Sequence, residues 1–109
     1  MTKSNQLQHL KAIAHLIRER DLSRLRLTSL QKSKIEGLLG ALDNTQCAAD
    51  LNPIAAAQVA DRFGLWTTNR RIALNQQLAR TMADWLAVKA DAQRSFARAE
   101  VLDKLTSKY

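Results

Sequence analysis

The chain of 109 residues contains little that would interrupt a helix, with only three Gly and one Pro. Aromatic residues make up 5% of it, too few for a wide aromatic core, and the scarcity of Val and Tyr disfavours a sheet. Apolar residues reach 46%, and most of them are Leu and Ala, which are strong helix formers. The composition therefore predicts an all-α protein whose long helices are joined along an apolar seam.

The residues that usually carry chemistry are equally scarce. Cys47 is the single cysteine, which excludes an internal disulfide and a four-ligand structural zinc site. His9 and His15 are six residues apart and fall on different faces of a helix, so His15 is predicted either to form a local ion pair with Glu19 or to be a plain surface histidine. The sequence has no Gly-rich phosphate loop and no zinc-binding signature. It predicts a protein that is not an enzyme and uses no metal or cofactor.

Long apolar runs are also missing. No segment approaches the roughly 20 apolar residues that cross a bilayer. The first six residues are polar and lack the apolar core of a signal peptide. These features predict a cytoplasmic location and no membrane span.

A first helix is predicted over about residues 4–42, with Ser4 or Asn5 as its N-cap. Its apolar residues recur at steps of three and four. They are Leu7, Leu10, Ile13, Ala14 and Ile17, followed by Leu27, Leu30, Ile35, Leu38 and Leu42. The phase of this stripe changes over residues 21–26, which we interpret as a stutter rather than a break, since no Gly or Pro lies there. Gly40 or Asn44 is the predicted left-handed C-cap.

A second helix is predicted over about residues 53–106, after a connection at residues 43–52. Asn52 suits an N-cap, and Pro53 suits the first helical position because its missing N–H would have no partner there. The seam residues are Leu74, Leu78, Met82, Trp85, Val88, Ala92, Phe96, Ala99 and Leu102. Gly64 begins a stretch of low helix propensity, where we expect a kink. The alternative is a separate short helix at residues 53–63.

Two long helices with a short connection should fold back on each other as an antiparallel coiled-coil hairpin, forming one domain over residues 1–109. If Leu42 lies opposite Pro53, the numbers of paired residues add to about 95. Apolar residues then meet at three levels. The pairs are Leu30 with Leu65, Ile17 with Leu78, and Leu10 with Trp85.

In this register the second helix outruns the first by about 15 residues, or roughly 22 Å. The overhang would expose an apolar stripe, which predicts a protein-binding surface. Its residues are Phe96, Ala99, Val101, Leu102 and Leu105. A third segment folding back, or self-association into a four-helix bundle, would cover the same stripe equally well.

The formal charge of +7 favours an anionic partner, although a solubilising surface explains it as well. The predicted register places Arg24 level with Arg71 in a belt of arginines at the middle of the hairpin. The belt consists of Arg18, Arg20, Arg24, Arg26, Arg70 and Arg71. Nucleic-acid binding would usually add exposed aromatic residues or a known motif, and neither is apparent.

The C-terminal helix resembles the ending of the flagellar type III export stalks, the FliJ family, and their relatives in virulence secretion. The similar stretch is residues 85–105, WLAVKADAQRSFARAEVLDKL, in which basic residues and alanines lead to a Leu-x-Lys-Leu type of ending. Members of that family are antiparallel coiled coils similar to the central stalk of rotary ATP synthases. The resemblance implies that the ends of the hairpin, around Leu7, Leu10 and residues 96–105, insert into the export ATPase ring, while the shaft faces the export gate.

Three functions follow as hypotheses. The first is a non-enzymatic adaptor of a flagellar or type III export apparatus that binds the export ATPase through its helix termini. The second is a small basic nucleic-acid-binding protein, and the third is a secretion chaperone or scaffold. The sequence leaves the oligomeric state open.

Overall fold

The computed structural model describes residues 3–44 and 52–108, and all but one of these residues are helical. Helix α1 spans Lys3–Asn44 and helix α2 spans Pro53–Lys108. The all-α fold with two long helices is confirmed, and the helix bounds agree with the prediction to within two residues. Most of the predicted connection, including Cys47, lies outside the described residues. Neither helix holds a segment within the described ranges that is long and apolar enough to cross a membrane.

The start of α2 has the predicted cap. The side-chain Oδ1 of Asn52 accepts a hydrogen bond from the backbone N–H of Ala55 at 2.8 Å. Its backbone carbonyl accepts the N–H of Ala56, also at 2.8 Å. Pro53 takes the first helical position, where no N–H is needed. Asn52 therefore satisfies amide groups that would otherwise lack a partner.

The glycines do not interrupt either helix. Gly40 and Asn44 both belong to α1 and neither has a positive φ, so the predicted left-handed cap is wrong for either residue. Gly64 lies inside the continuous α2, so a separate helix at residues 53–63 is also wrong. The phase change at residues 21–26 occurs within an unbroken α1, as a stutter requires.

The chain divides into two compact units, and each contains a segment of both helices. The first unit combines Met1–Leu30 with Ala83–Tyr109, and the second is Gln31–Met82. In the first unit the α1 and α2 segments run antiparallel, with Lys11 beside Asp103 and Ser29 beside Trp85. The second unit is also antiparallel, because residues 31–38 line one pocket with residues 77–81, and residues 38–42 line another with residues 66–74. Whether the chain is one folding domain stays a prediction.

The predicted register is wrong. Trp85 lies beside Ser29 rather than Leu10, and its Nε1–H donates a hydrogen bond to the Ser29 hydroxyl at 3.0 Å. Asp21 lies beside Ser95. The numbers of these pairs add to about 115, so α2 is displaced by about 20 residues from the predicted pairing.

A buried carboxylate explains why the other register is not adopted. Asp21 is 2% exposed, and the predicted register would have set it against Leu74, which offers no hydrogen-bond donor. There the carboxylate would keep Arg20 and Arg24 of its own helix but would have no donor across the seam, and a buried polar group left short of a hydrogen bond costs about 1–3 kcal/mol. In the observed register Asp21 instead receives the hydroxyl of Ser95, which is also buried.

The observed register also changes which end of α2 extends beyond α1, as contacts in the second unit show. Asp43, in the last turn of α1, pairs with Arg71 of α2. Residues 53–65 therefore continue past the end of α1, at the opposite end of α2 from the predicted overhang. Ile54 and Leu65 in this segment are exposed by 76% and 65%.

Candidate partner-binding groove

The first unit carries an open apolar groove between its two helices, with a volume of about 450 Å³. Helix α1 contributes Leu10, Ile13 and Ile17 to its lining, and α2 contributes Arg98, Val101 and Leu102. The α1 residues recur at steps of three and four, which places them on one face of the helix. Below them, Ala14 and Ala99 are buried between the helices. The small alanine side chains leave the groove shallow and open to solvent.

Large apolar side chains along this groove remain half exposed. Leu10 is 51% exposed, Ile13 53% and Val101 56%. A contiguous apolar surface of this kind marks a place where another apolar surface packs. The helical spacing of the lining residues fits an amphipathic helix laid along the groove.

A polar pocket of about 290 Å³ adjoins the groove and shares Ile17, Ser95 and Arg98 with it. Its remaining lining residues are charged. They are Arg20, Asp21, Asp91 and Arg94. We call this site the arginine pocket. It begins where the apolar lining of the groove ends.

The carboxylate of Asp21 is the centre of the arginine pocket. The Ser95 hydroxyl donates a hydrogen bond to it, and Arg20 approaches to 3.2 Å. The Ser95 hydrogen bond is the main cause that lowers the pKa of Asp21 below its ordinary value of 3.8. It outweighs the opposing effect of burial, with further contributions from Arg20 and Arg24. Asp21 therefore stays ionised at neutral pH.

Four arginines surround two aspartates here. Arg24 lies 3.7 Å from Asp21 and 4.0 Å from Asp91, and Arg94 lies 2.7 Å from Asp91. Arg98 is exposed and forms no ion pair with any described residue. With Arg20, Arg24, Arg94 and Arg98 against Asp21 and Asp91, the arginine pocket and its immediate surroundings keep a net positive charge.

A second set of polar contacts joins α1 and α2 in the same unit, through His15 and Lys11 of α1 and Asp103 of α2. The Nε2 of His15 lies 2.8 Å from the Oδ1 of Asp103, and the Lys11 ammonium lies 3.7 Å from the same oxygen. The hydrogen bond from His15 is the main cause that lowers the pKa of Asp103 below 3.8. The predicted local pairing of His15 with Glu19 is wrong, because Asp103 lies across the seam within reach of the imidazole.

The residues of the predicted overhang pack against α1. Ala99 is fully buried, and the Arg18 guanidinium lies 6.0 Å from the centre of the Phe96 ring. Val101 and Leu102 line the groove, while Leu105 is 37% exposed. The prediction that this stripe has nothing to cover it is wrong, because the observed register sets it against the N-terminal half of α1. Whether these residues bind a protein stays a prediction.

The arginines predicted to form one belt have different neighbours. Arg24 contacts Asp91 in the first unit, and Arg71 contacts Asp43 in the second, so the predicted level pairing of Arg24 with Arg71 is wrong. Arg70 lies beside Trp66 in the second unit, and Arg26 is exposed. Arg20 and Arg24 do come together, joined by Arg94 and Arg98 rather than by the predicted α2 arginines. That any of these arginines binds an anionic partner stays a prediction.

Sequence reasoning missed the groove and the arginine pocket because both depend on the register. One signal was available: Asp21 falls where the apolar stripe of α1 changes phase, and an acidic residue at a seam position needs a polar partner. Among residues 3–44 and 52–108, no three His, Cys, Asp or Glu side chains group to hold a metal ion.

Comparisons with known proteins add no relative. No family model matches the chain, no curated protein matches it, and no solved structure matches it. The function is therefore argued from the residues and the geometry.

Proposed function

We propose that the protein is a non-enzymatic helical adaptor that binds a partner protein through the groove of its first unit. The observation that supports this is the row of half-exposed Leu10, Ile13 and Val101 side chains along the groove. A docked helix would remove the remaining exposed area of these side chains from water. Such burial stabilises a complex by about 25 cal/mol per Å² of apolar area.

The partner that fits the sequence best is the ATPase of a flagellar or type III export apparatus, in the cytoplasm. Support comes from the resemblance of residues 85–105 to the export stalk family, together with an antiparallel pair of helices in each unit. The groove lies at the paired helix termini, with residues 10–17 of α1 opposite residues 97–102 of α2. The resemblance implies an ATPase contact around Leu7, Leu10 and residues 96–105, which overlap the residues of the groove.

The test is stimulation of a purified hexameric export ATPase from the same organism. Removing residues 96–109 would uncover the α1 seam and damage the fold, so point variants are needed. Ile13→Asp puts a charge into the groove, while Gln8→Asp puts the same charge on an exposed position roughly 140° away around α1. We expect the wild type and Gln8→Asp to stimulate hydrolysis and Ile13→Asp to lose most of the effect.

Two results would contradict the proposal in different ways. A wild-type protein that neither binds nor stimulates the ATPase removes the export assignment. Equal stimulation by Ile13→Asp, with its helicity verified by circular dichroism, removes the groove as the contact.

A further inference from the structure

We propose that the groove and the arginine pocket together select an acidic amphipathic helix of the partner. This rests on the proposed function, since it assumes that a protein docks in the groove. It adds the chemistry of the docking segment: apolar side chains over about two turns, followed by carboxylates in the next turns. The carboxylates would meet Arg98 first and then Arg20 and Arg94 of the arginine pocket.

The spacing follows from the positions of the two sites along α1. Ile13 lies at the middle of the apolar lining, and Arg20 lies in the arginine pocket. Seven residues of helix separate them, which is roughly 10 Å. A docked helix that places apolar residues over Ile13 therefore reaches the arginines about two turns further on.

The charge of this site favours an acidic occupant. Arg98 lines both the groove and the arginine pocket and has no ion pair of its own among the described residues. Arg20 and Arg24 both form ion pairs with the buried carboxylate of Asp21, so the positive charge of these two arginines is only partly neutralised by it. A carboxylate from a partner would complete the pairing of Arg98 beside an apolar surface, where such contacts are screened less than in open water.

A second copy of this chain fits less well. Each copy carries a formal charge of +7 and would bring its own arginine pocket to the interface. Like charges placed together across an interface are unfavourable. A nucleic acid also fits less well, because the groove is apolar and none of the Trp and Phe residues that the structure describes lines either site for base stacking.

Photo-crosslinking from the groove tests the proposal directly. Cys47→Ser removes the native thiol, Ile13→Cys introduces one in the groove, and a benzophenone maleimide is attached to it. The labelled protein is irradiated in lysate of the source organism, and the crosslinked segment is sequenced by mass spectrometry. A matched label at Gln8→Cys, which is exposed on another face, reports background capture.

We expect the Ile13 label, and not the Gln8 label, to capture one segment with apolar residues at helical spacing and a net negative charge. A captured segment that is neutral or basic would overturn this inference while the proposed function stands. Capture of this chain itself, of nucleic acid, or of nothing above the Gln8 background would overturn both.

Charge reversal of Arg98 gives a second, independent measurement. With the captured segment as a synthetic peptide, Arg98→Glu should weaken binding about tenfold or more and flatten its dependence on salt. Arg62→Glu makes the same charge change at an exposed site in the second unit and should leave the affinity within about twofold. Replacing only the acidic residue next to the peptide's apolar end with lysine should restore part of the binding to Arg98→Glu, because the remaining carboxylates still face Arg20 and Arg94. Equal losses in the two variants, or no rescue, would show that Arg98 does not contact the acidic end.

Discussion

The hydroxyl of Ser95 donates a hydrogen bond to the carboxylate of Asp21 across the two helices of the first unit, and both side chains are buried. This contact joins residues 74 positions apart in the chain and lies next to the groove. Because a buried carboxylate needs hydrogen-bond donors, the pair favours the register in which Asp21 and Ser95 face each other.

Removal of the donor should be costly. Ser95→Ala leaves the Asp21 carboxylate buried beside its arginines without the hydroxyl, and we expect a loss of about 1–3 kcal/mol in the free energy of unfolding. Urea denaturation followed by circular dichroism measures it. Ser33→Ala, at an exposed position in α1, serves as the control and should change stability by less than about 0.5 kcal/mol. Similar values for the two variants would mean that the buried hydrogen bond contributes little.

Replacing both Asp21 and Ser95 should distinguish their effect on stability from their effect on the register of the two helices. We expect Asp21→Leu with Ser95→Ala to keep or raise the free energy of unfolding, since both polar groups are lost together. The register should become less unique, because apolar pairs tolerate sliding. Spin labels at Glu19→Cys and Gln93→Cys in a Cys47→Ser background measure this by pulsed electron resonance. One narrow distance peak in the double variant would disprove the register role.

Acid should destabilise the first unit through Asp21 and Asp103. Both have a pKa lowered from 3.8 in the folded protein. Their contribution to the free energy of unfolding is therefore fully present above the unfolded-state pKa of about 3.9. It is lost as the pH falls through the lower pKa values of the folded protein. The thermal unfolding temperature, measured at a series of pH values from 7 to 2, should decrease once the pH drops below about 4. Asp103→Asn should flatten that fall, whereas an unchanged slope would show that Asp103 is not linked to folding.

The helical glycines offer stabilising substitutions. A Cβ at Gly37 or Gly64 would meet no atom within 4 Å beyond its chain neighbours and the adjacent backbone of its own helix, and neither residue has a positive φ. Gly37→Ala and Gly64→Ala should each raise stability by about 0.5–1 kcal/mol, mainly by restricting the unfolded chain. The reverse change Ala60→Gly, at an exposed position in α2, should lower it by a similar amount. Thermal denaturation measures all three, and a loss in Gly64→Ala would indicate strain at that position.

The N-cap of α2 should contribute measurably. Asn52→Ala removes the acceptor for the Ala55 amide and should cost about 1 kcal/mol. Asn52→Asp keeps a side-chain oxygen and should retain most of the stability. Thermal unfolding of the two variants gives the comparison. Equal losses would show that the side-chain acceptor is not what stabilises this helix start.

Local features of the fold were predictable from the sequence. Leu- and Ala-rich segments with few helix breakers favour helix wherever they lie, and Asn52 with Pro53 specifies a helix start by backbone chemistry alone. The i, i+4 pair of Glu100 and Lys104 was also predictable, and it is observed at 3.7 Å. None of these features depends on what the other helix does.

The register, the groove and the arginine pocket were decided only by the tertiary structure. An apolar seam repeats about every seven residues, so a slide of about 20 residues, close to three repeats, still sets apolar residues against apolar residues. Periodicity cannot distinguish such registers. The distinction comes from single residues that meet across the seam, as Asp21 meets Ser95 and Ser29 meets Trp85. Those meetings are properties of two helices together, and neither helix encodes them alone.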